Sequence, residues 1–128
     1  MILLDTCALI WLNDDRDKFS KSTLAILERN QDALAVSPIS FLEIGIKSKK
    51  KQFKIPGSLQ EWSGKMVERY GLTSIPVSHR IAVKASELPD IHKDPFDRII
   101  IATAAINKLR VVTADTVFPL YEAINVVW

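Results

Sequence analysis

The sequence lacks the cysteines that stabilise many small exported proteins. Cys7 is its only cysteine, so no internal disulfide can form, and one thiol cannot make a zinc site alone. A chain of 128 residues needs no such staple, because folding at this size buries roughly two-thirds of the surface that the unfolded chain exposes. We therefore expect a single domain over residues 1–128, located in a reducing cytoplasm, with Cys7 in the core.

Long apolar runs are missing as well. Asp5 interrupts the first apolar run after four residues, no basic segment precedes that run, and no stretch approaches the ~20 apolar residues of a membrane span. Internal repeats, low-complexity tracts and linkers are also absent. The composition, 48% hydrophobic and 25% charged, is typical of a soluble globular protein. We expect neither export nor membrane insertion.

Short apolar segments alternate with amphipathic ones along the chain. This pattern predicts strands at 2–4, 33–37, 72–77 and 110–115, with a fifth candidate at 124–128. It predicts helices from near residue 7 and from Pro38, and over 20–31, 58–71, 78–88 and 95–109. Strands that alternate with helices indicate an α/β fold with a mainly parallel sheet of four to five strands and helices on both faces. Ligands bind at the carboxyl ends of the strands in such folds.

Acidic residues occur where these predicted elements meet. Asp5 and Asp115 each follow an apolar strand at its carboxyl end, and Glu43 lies near the start of the helix that follows the second strand. Asp94 and Asp97 flank the start of the long apolar helix at 95–109. Because the carboxyl ends of parallel strands share one edge of a sheet, we expect these acids to converge there.

Converging carboxylates need a compensating positive charge, because they repel one another and lose hydration when partly buried. Mg²⁺ or Mn²⁺ suits carboxylate oxygens best, and zinc is the poorer candidate because His92 is the only histidine nearby. If Asp5, Glu43, Asp97 and Asp115 are set aside, 17 basic residues face 11 remaining acids, a net charge of +6. The rest of the surface is therefore basic.

A basic surface around an acidic metal site fits a polyanionic substrate, with phosphates held by lysines and one phosphodiester delivered to the metal. The chemistry predicted is metal-assisted phosphodiester hydrolysis, and single-stranded RNA is favoured because so small a domain cannot enclose a duplex. One stretch concentrates the candidate RNA-binding lysines, Lys47, Lys49, Lys50, Lys51 and Lys54.

Four segments that carry these acids resemble, in order and spacing, the four acidic motifs of PIN-domain nucleases, in particular the VapC-type toxins of bacterial type II toxin–antitoxin pairs. The segments are LLDTCALIW, SPISFLEIGIK, HKDPFDRIIIATA and VVTADTVF. Each motif is weak alone, but four in this order are more specific, and the resemblance covers nearly the whole chain. It implies a three-layer α/β/α sandwich and a ribonuclease that depends on Mg²⁺ or Mn²⁺.

The resemblance also implies roles for individual residues. The residues that match the acidic quartet are Asp5, Glu43, Asp97 and Asp115, and those that match small hydroxyl residues beside it are Thr6 and Thr113. Asp94 is ambiguous, because it lies three residues before Asp97. Proteins of this kind usually form homodimers and are silenced by a cognate antitoxin, so both partners are expected by likeness.

Each of these residues also has a simpler interpretation. Asp5 could be no more than the cap of the helix that begins near residue 7. Glu43 could be no more than the ion-pair partner of Lys47, one helical turn later. Asp94 before Pro95 is a natural N-cap, with Asp97 favoured at the third helical position by the helix dipole.

The remaining candidates have similar alternatives. Asp115 could shape a turn, and the lysine run could be a solvated face. Arg98 could orient a carboxylate by an ion pair or be an exposed helix residue. His92 is interpreted as a loop histidine without a function, although it lies near the acids and could meet a phosphate.

Two other functions fit part of the pattern. A receiver-like signalling module also binds Mg²⁺ through acids at strand ends, but it needs an aspartate on a central strand, and residues 72–78 have none. A non-catalytic RNA-binding domain would use the lysine run alone. Chelation separates these alternatives, because EDTA stops a metal-dependent nuclease but leaves electrostatic RNA binding largely intact.

Overall fold

The computed structural model describes residues 1–128 and contains one sheet of five strands. All four strand pairings are parallel, and the spatial order is β3-β2-β1-β4-β5. The strands are β1 (Ile2–Leu4), β2 (Leu34–Val36), β3 (Thr73–Ser74), β4 (Arg110–Val112) and β5 (Asn125–Val127).

Six α-helices connect and cover these strands. They are α1 (Thr6–Asp14), α2 (Lys21–Arg29), α3 (Pro38–Lys49), α4 (Leu59–Tyr70), α5 (His79–Glu87) and α6 (Pro95–Asn107). Two short 3₁₀ helices lie at Arg16–Lys18 and Phe118–Leu120. No helix is both long enough and apolar enough to cross a membrane.

Side chains alternate between the two faces of the sheet, as the twofold repeat of a strand requires. Ile2 and Leu4 join a core shared with α1 to α4, whereas Leu3 between them joins a second core shared with α5 and α6. All three side chains are fully buried. The sheet is therefore covered on both faces, which confirms the predicted three-layer α/β/α sandwich.

Each α-helix begins after a residue whose side chain accepts a backbone hydrogen bond from the first turn. Four of these N-caps are serines, and two, Asp5 and Asp94, are aspartates. Capping satisfies amide groups that have no partner inside the helix. The sequence therefore sets the helix starts locally, and the predicted starts agree closely with the observed ones.

The third strand is shorter than the sequence predicts. The apolar pattern favours a strand over 72–77, but only Thr73 and Ser74 pair with β2, and both are exposed. Pro76 has no N–H group to donate to a ladder, so pairing stops before it, as is usual at a sheet edge. The other four strands lie within their predicted ranges, but β4 ends at Val112 and not at Asp115 as predicted.

The two acids that follow strands become neighbours because β1 pairs directly with β4. Leu4 and Val112 are register partners at the carboxyl ends of the two strands. Asp5 follows Leu4 immediately, and its backbone N–H donates to the carbonyl of Val112 (3.2 Å). β1 also pairs with β2 on its other side. The segments that follow β1, β2 and β4 therefore lie next to one another at the same edge of the sheet.

Candidate active site

Asp5 caps α1 and also contacts the end of β4. Its Oδ1 accepts the backbone N–H of Ala8 (2.7 Å), so it caps α1. Its Oδ2 accepts a hydrogen bond from the hydroxyl of Thr113, at the end of β4. The neighbouring Thr6 is also buried and donates to the hydroxyl of Ser40 (3.0 Å) on α3. These contacts fix the Asp5 carboxylate where β1, β4 and α3 meet.

Glu43 projects from the second turn of α3 and is only 7% exposed. Its Oε2 lies 3.0 Å from Nζ of Lys47, the pair that its helical spacing predicts. Its Oε1 is buried and has no hydrogen-bond partner. A buried carboxylate oxygen without a partner is costly, so this atom is available to a bound cation or water.

Asp94 and Asp97 form the start of α6. Oδ1 of Asp94 accepts the backbone N–H groups of Phe96 (2.8 Å) and Asp97 (3.4 Å), so Asp94 is the N-cap. The Asp97 carboxylate does not cap the helix and instead lies close to His92, with Oδ2 3.1 Å from Nε2. The two acids therefore differ in their contacts, because Asp94 accepts backbone N–H groups and Asp97 contacts His92, although both line the same pocket.

Asp115 lies three residues after β4 and has two different contacts. Its Oδ1 accepts the N–H of Val117 (2.8 Å) and shapes the turn, as the simpler interpretation predicts. Its Oδ2 lies 3.0 Å from Nε2 of His92. Its own N–H donates to the hydroxyl of Thr113 (3.0 Å). The turn therefore leaves one carboxylate oxygen directed at the other candidate site residues.

One pocket of about 330 Å³ collects five carboxyl groups from four separate segments, those of Asp5, Glu43, Asp94, Asp97 and Asp115. Several larger depressions exist elsewhere on the surface, but this is the one that the acids line. The structure thus brings the predicted acids together at the predicted edge of the sheet.

Burial makes two of these acids hard to ionise. Desolvation raises the pKa of Asp5 from 3.8 to about 6, although its hydrogen bonds from Thr113 and Ala8 oppose this, and the nearby charges of Asp115 and Glu43 add to it. Desolvation and the charge of Asp94 raise the pKa of Asp97 from 3.8 to about 7, while His92 acts in the opposite direction. A cation in the pocket would favour the ionised forms of both.

The donor set fits a hard divalent cation. Carboxylate oxygens dominate the pocket, one of them is buried without a partner, and two of the acids have pKa values that a positive charge would lower. A carboxylate oxygen of Asp97 and one of Asp115 lie within 4.8 Å of each other. Oxygen-rich sites of this kind suit Mg²⁺ or Mn²⁺ better than zinc.

Comparison with known proteins identifies the family. The sequence matches the PIN domain family over residues 2–123. The chain belongs to the PIN domain family. The PIN domain is 27% identical to ribonuclease VapC22 from Mycobacterium tuberculosis over 115 residues, which are 89% of this chain and 86% of that protein.

Solved structures share the fold over almost the whole length. VapBC2 from Rickettsia felis, bound to a DNA fragment from its promoter, matches with a TM-score of 0.74 and 19% identity, over 99% of this chain and 98% of that one. A toxin–antitoxin complex from Klebsiella pneumoniae matches with a TM-score of 0.67 and 25% identity, over 100% and 97% of the two chains. The PIN domain described here therefore has the architecture of those proteins.

Cys7 corrects one expectation. It is exposed rather than in the core of the PIN domain, and it lines the pocket of acids. It is the second residue of α1, directly after the buried pair Asp5 and Thr6. Partial burial of the thiol and the charge of Asp5 raise its pKa to about 11, which favours the neutral thiol at neutral pH in the metal-free protein.

Arg98 corrects a second expectation. Its guanidinium neither orients a carboxylate of the pocket nor lies exposed. It donates instead to backbone carbonyls at the end of α5 and in the following loop, those of Ala85, Ser86, Leu88, Pro89 and His92. Its ion pair with Asp90 (3.6 Å) involves a carboxylate that is 98% exposed, and such a pair contributes little. Arg98 therefore holds the loop between α5 and α6.

His92 is the site residue that sequence reasoning missed. The sequence favours a loop histidine without a function, but the ring lies between Asp97 and Asp115. The available signal is its position two residues before the N-cap of α6, in the same segment as two candidate acids. The contact between His92 and Asp115 could not be predicted, because the two residues are far apart in the sequence.

The lysines of the basic stretch are divided between two places. Lys47 lines the pocket of acids and pairs with Glu43. Lys49, Lys51 and Lys54 line a separate groove of about 740 Å³ beside the end of α3. Lys50 is the exposed C-cap of that helix. The basic residues therefore extend from the pocket along α3 to the neighbouring groove.

Proposed function

We propose that this PIN domain is a metal-dependent endoribonuclease that hydrolyses phosphodiester bonds in RNA and acts as the toxin of a toxin–antitoxin pair. The observation that carries the proposal is the convergence of five carboxyl groups from four chain segments on one pocket. A fold does not determine a function by itself. The similarity to a protein named as a ribonuclease and the chemistry of this pocket support the same activity independently.

The proposed ligands of Mg²⁺ or Mn²⁺ are Asp5, Asp97 and Asp115, and Glu43 is proposed as a ligand or as the residue that orients the attacking water. When bound, such an ion lowers the pKa of a coordinated water and neutralises charge on the phosphoryl oxygens. The structure supports this assignment through the buried partnerless oxygen of Glu43 and through the desolvation of Asp5 and Asp97.

The protein's own groups prepare the pocket for RNA. Glu43 Oε1 has no partner and can accept a hydrogen bond from the attacking water, while Lys47 holds Oε2 at 3.0 Å and fixes the carboxylate plane. The ammonium group of Lys47 is also the nearest lysine charge to which a substrate phosphate can bind. Thr113 and Thr6 hold the end of β1 against β4 and α3, so Asp5 is positioned before substrate arrives.

The toxin assignment and its partners follow from similarity. Solved structures with the same fold include VapBC of Salmonella typhimurium bound to DNA (TM-score 0.70, 16% identity) as well as the toxin–antitoxin complexes described above. We propose a cognate antitoxin and a homodimer for this chain on that basis. Co-expression with the product of an adjacent open reading frame tests the first, and sedimentation equilibrium tests the second.

Cleavage of a synthetic RNA by the purified protein tests the activity. We expect Mg²⁺ or Mn²⁺ to support cleavage, EDTA to stop it, and Asp97→Asn or Asp5→Asn to reduce it by at least about 100-fold, the scale of losing one strong electrostatic group at an active site. Asp90→Asn is the matched control, because that carboxylate is 98% exposed outside the pocket. Undiminished cleavage by both pocket variants would rule out the assignment.

Of the two alternative functions, one is excluded and one is retained. The receiver-like module is excluded by membership of the PIN domain family. A non-catalytic RNA-binding domain remains the competing proposal, and it predicts RNA binding that is unchanged by EDTA with no cleavage products. The same RNA experiment therefore separates the two, because a nuclease yields shortened RNA only when the divalent ion is present.

A further inference from the structure

His92 bridges two carboxylates of the acidic cluster. Its Nε2 lies 3.0 Å from Oδ2 of Asp115 and 3.1 Å from Oδ2 of Asp97. Only 14% of its side chain is exposed. The ring therefore joins one acid from α6 to another from the turn after β4. Its role depends on which ring nitrogen donates a hydrogen bond and which accepts one.

Several contacts that hold the loop carrying His92 do not involve its imidazole nitrogens. The backbone N–H of His92 donates to the hydroxyl of Tyr121 (2.8 Å), and its carbonyl accepts from Arg98 (3.0 Å). The hydroxyl of Tyr121 in turn donates to the carbonyl of Pro89 (2.8 Å). The ring packs edge-on against Phe118, with centroids 5.8 Å apart. Replacement of the imidazole therefore leaves these backbone contacts in place and removes only the acceptor of the Asp94 N–H.

The other ring nitrogen determines the tautomer. Nδ1 accepts the backbone N–H of Asp94 (3.3 Å), so it carries a lone pair and no proton. In a neutral imidazole the proton then lies on Nε2, which makes Nε2–H a donor to the two carboxylates. A metal-bound histidine has the opposite arrangement, with one nitrogen on the metal and its other N–H donated to an acceptor.

We infer that His92 is a positioning residue whose Nε2–H holds the carboxylates of Asp97 and Asp115 together for a divalent ion without binding that ion itself. The inference rests on the proposed metal-dependent function of the pocket. Each carboxylate oxygen has two lone pairs, so an oxygen that accepts from His92 can still face a cation. The shared donor offsets part of the repulsion between two like charges that must lie close together before the ion arrives.

Divalent-ion titration of matched variants tests this inference. We expect His92→Ala to lose about 10-fold in affinity for both Mn²⁺ and Mg²⁺, the scale for groups that orient metal ligands. His92→Gln, which retains an N–H donor but has no imidazole lone pair, should keep most of the affinity. His79→Ala is the control, because His79 is exposed at the start of α5. Wild-type affinity in His92→Ala would overturn the inference.

A ligand role for the imidazole predicts a different pattern. His92→Gln would then be as weak as His92→Ala, and the loss would be greater for Mn²⁺ than for Mg²⁺, since nitrogen ligands favour the transition metal. Ring ¹⁵N chemical shifts at pH 8 give a direct readout that does not depend on any variant's folding. We expect the Nε2–H tautomer both with and without Mg²⁺, and an Nδ1–H tautomer in either state would overturn the inference.

These measurements separate the inference from the proposed function. Ion affinity and tautomer are read without RNA, so a protein that binds Mn²⁺ as expected but cleaves no RNA contradicts the nuclease proposal alone. Cleavage and ion binding that are both unaffected in His92→Ala contradict the positioning role alone.

Discussion

The hydroxyl of Thr113 donates a hydrogen bond to Oδ2 of Asp5, a residue 108 positions earlier in the sequence. The same hydroxyl oxygen accepts the backbone N–H of Asp115 (3.0 Å). One buried side chain thus connects the acid after β1 to the acid after β4. The spacing of the two acids depends on this threonine.

Thr113→Val is expected to weaken the site without removing any acid. The hydrogen bond from Thr113 lowers the pKa of Asp5, so its loss should raise that pKa further and shift divalent-ion binding toward higher pH. We expect a loss of about 1–3 kcal/mol in stability, because the Asp115 N–H and the Asp5 carboxylate both lose a partner. Ion titrations across pH check the shift. Thr113→Ser keeps the hydroxyl and should behave like the wild type.

The metal-free protein should become less stable as pH rises from 5 to 8. The pKa values of Asp5 and Asp97 are raised in the folded state to about 6 and about 7 from 3.8. The folded state then binds more protons than the unfolded state in this window, so the free energy of unfolding falls with rising pH. We expect a decrease on the order of 4 kcal/mol, at about 1.4 kcal/mol per pKa unit, measured by urea unfolding in EDTA.

The variant Asp97→Asn should reduce this pH dependence to the part that Asp5 contributes, because the amide does not titrate. Asp90→Asn should leave it unchanged, since that side chain is almost fully exposed. A metal-free protein whose stability rises between pH 5 and pH 8 would contradict the expected protonation of the pocket.

Arg98→Ala should destabilise the fold by at least about 2 kcal/mol, because several loop carbonyls lose a charged donor. Arg98→Lys should rescue little, since one ammonium group cannot reproduce the fork of the guanidinium. Arg110→Ala is the control, because Arg110 is exposed on β4 and a surface substitution usually changes stability by less than about 0.5 kcal/mol. Chemical unfolding measures all three, and equal stability of the Arg98 and Arg110 variants would contradict the loop-holding role.

The groove lysines should contribute to RNA affinity rather than to the cleavage step. We expect the double variant Lys49→Ala and Lys54→Ala to weaken RNA binding. The slope of log affinity against log salt should fall by about 0.7 for each lysine that no longer neutralises a phosphate. Lys21→Ala with Lys84→Ala, exposed lysines of α2 and α5, is the control of equal charge. Equal effects in the two pairs would show that only net charge matters.

The sequence predicts the sheet and helices well because local signals decide them. Short apolar runs bounded by polar residues, such as Ile2–Leu4, favour buried strands, and capping residues such as Ser20 and Asp94 fix where helices begin. The acids could be expected at one edge because the parallel arrangement alone brings Asp5 and Asp115 together.

Features that depend on distant neighbours could not be predicted in this way. The tautomer of His92 is set by its contact with Asp94, which is close in the sequence. The position of the ring in the site depends on the distant residues Asp115 and Tyr121. Cys7 has an apolar setting in the sequence, yet it borders a pocket that exists only after α3 and α6 have packed. Local patterns carry no information about such tertiary surroundings.

The order of the strands also constrains when the pocket can exist. β1 is made first, but its partner β4 begins at Arg110, and the last acid follows at position 115. A nascent chain that stops short of Arg110 therefore carries Asp5 and Glu43 without Asp115, and without the strand against which Asp5 is placed. The full set of acids can assemble only after translation has passed Asp115.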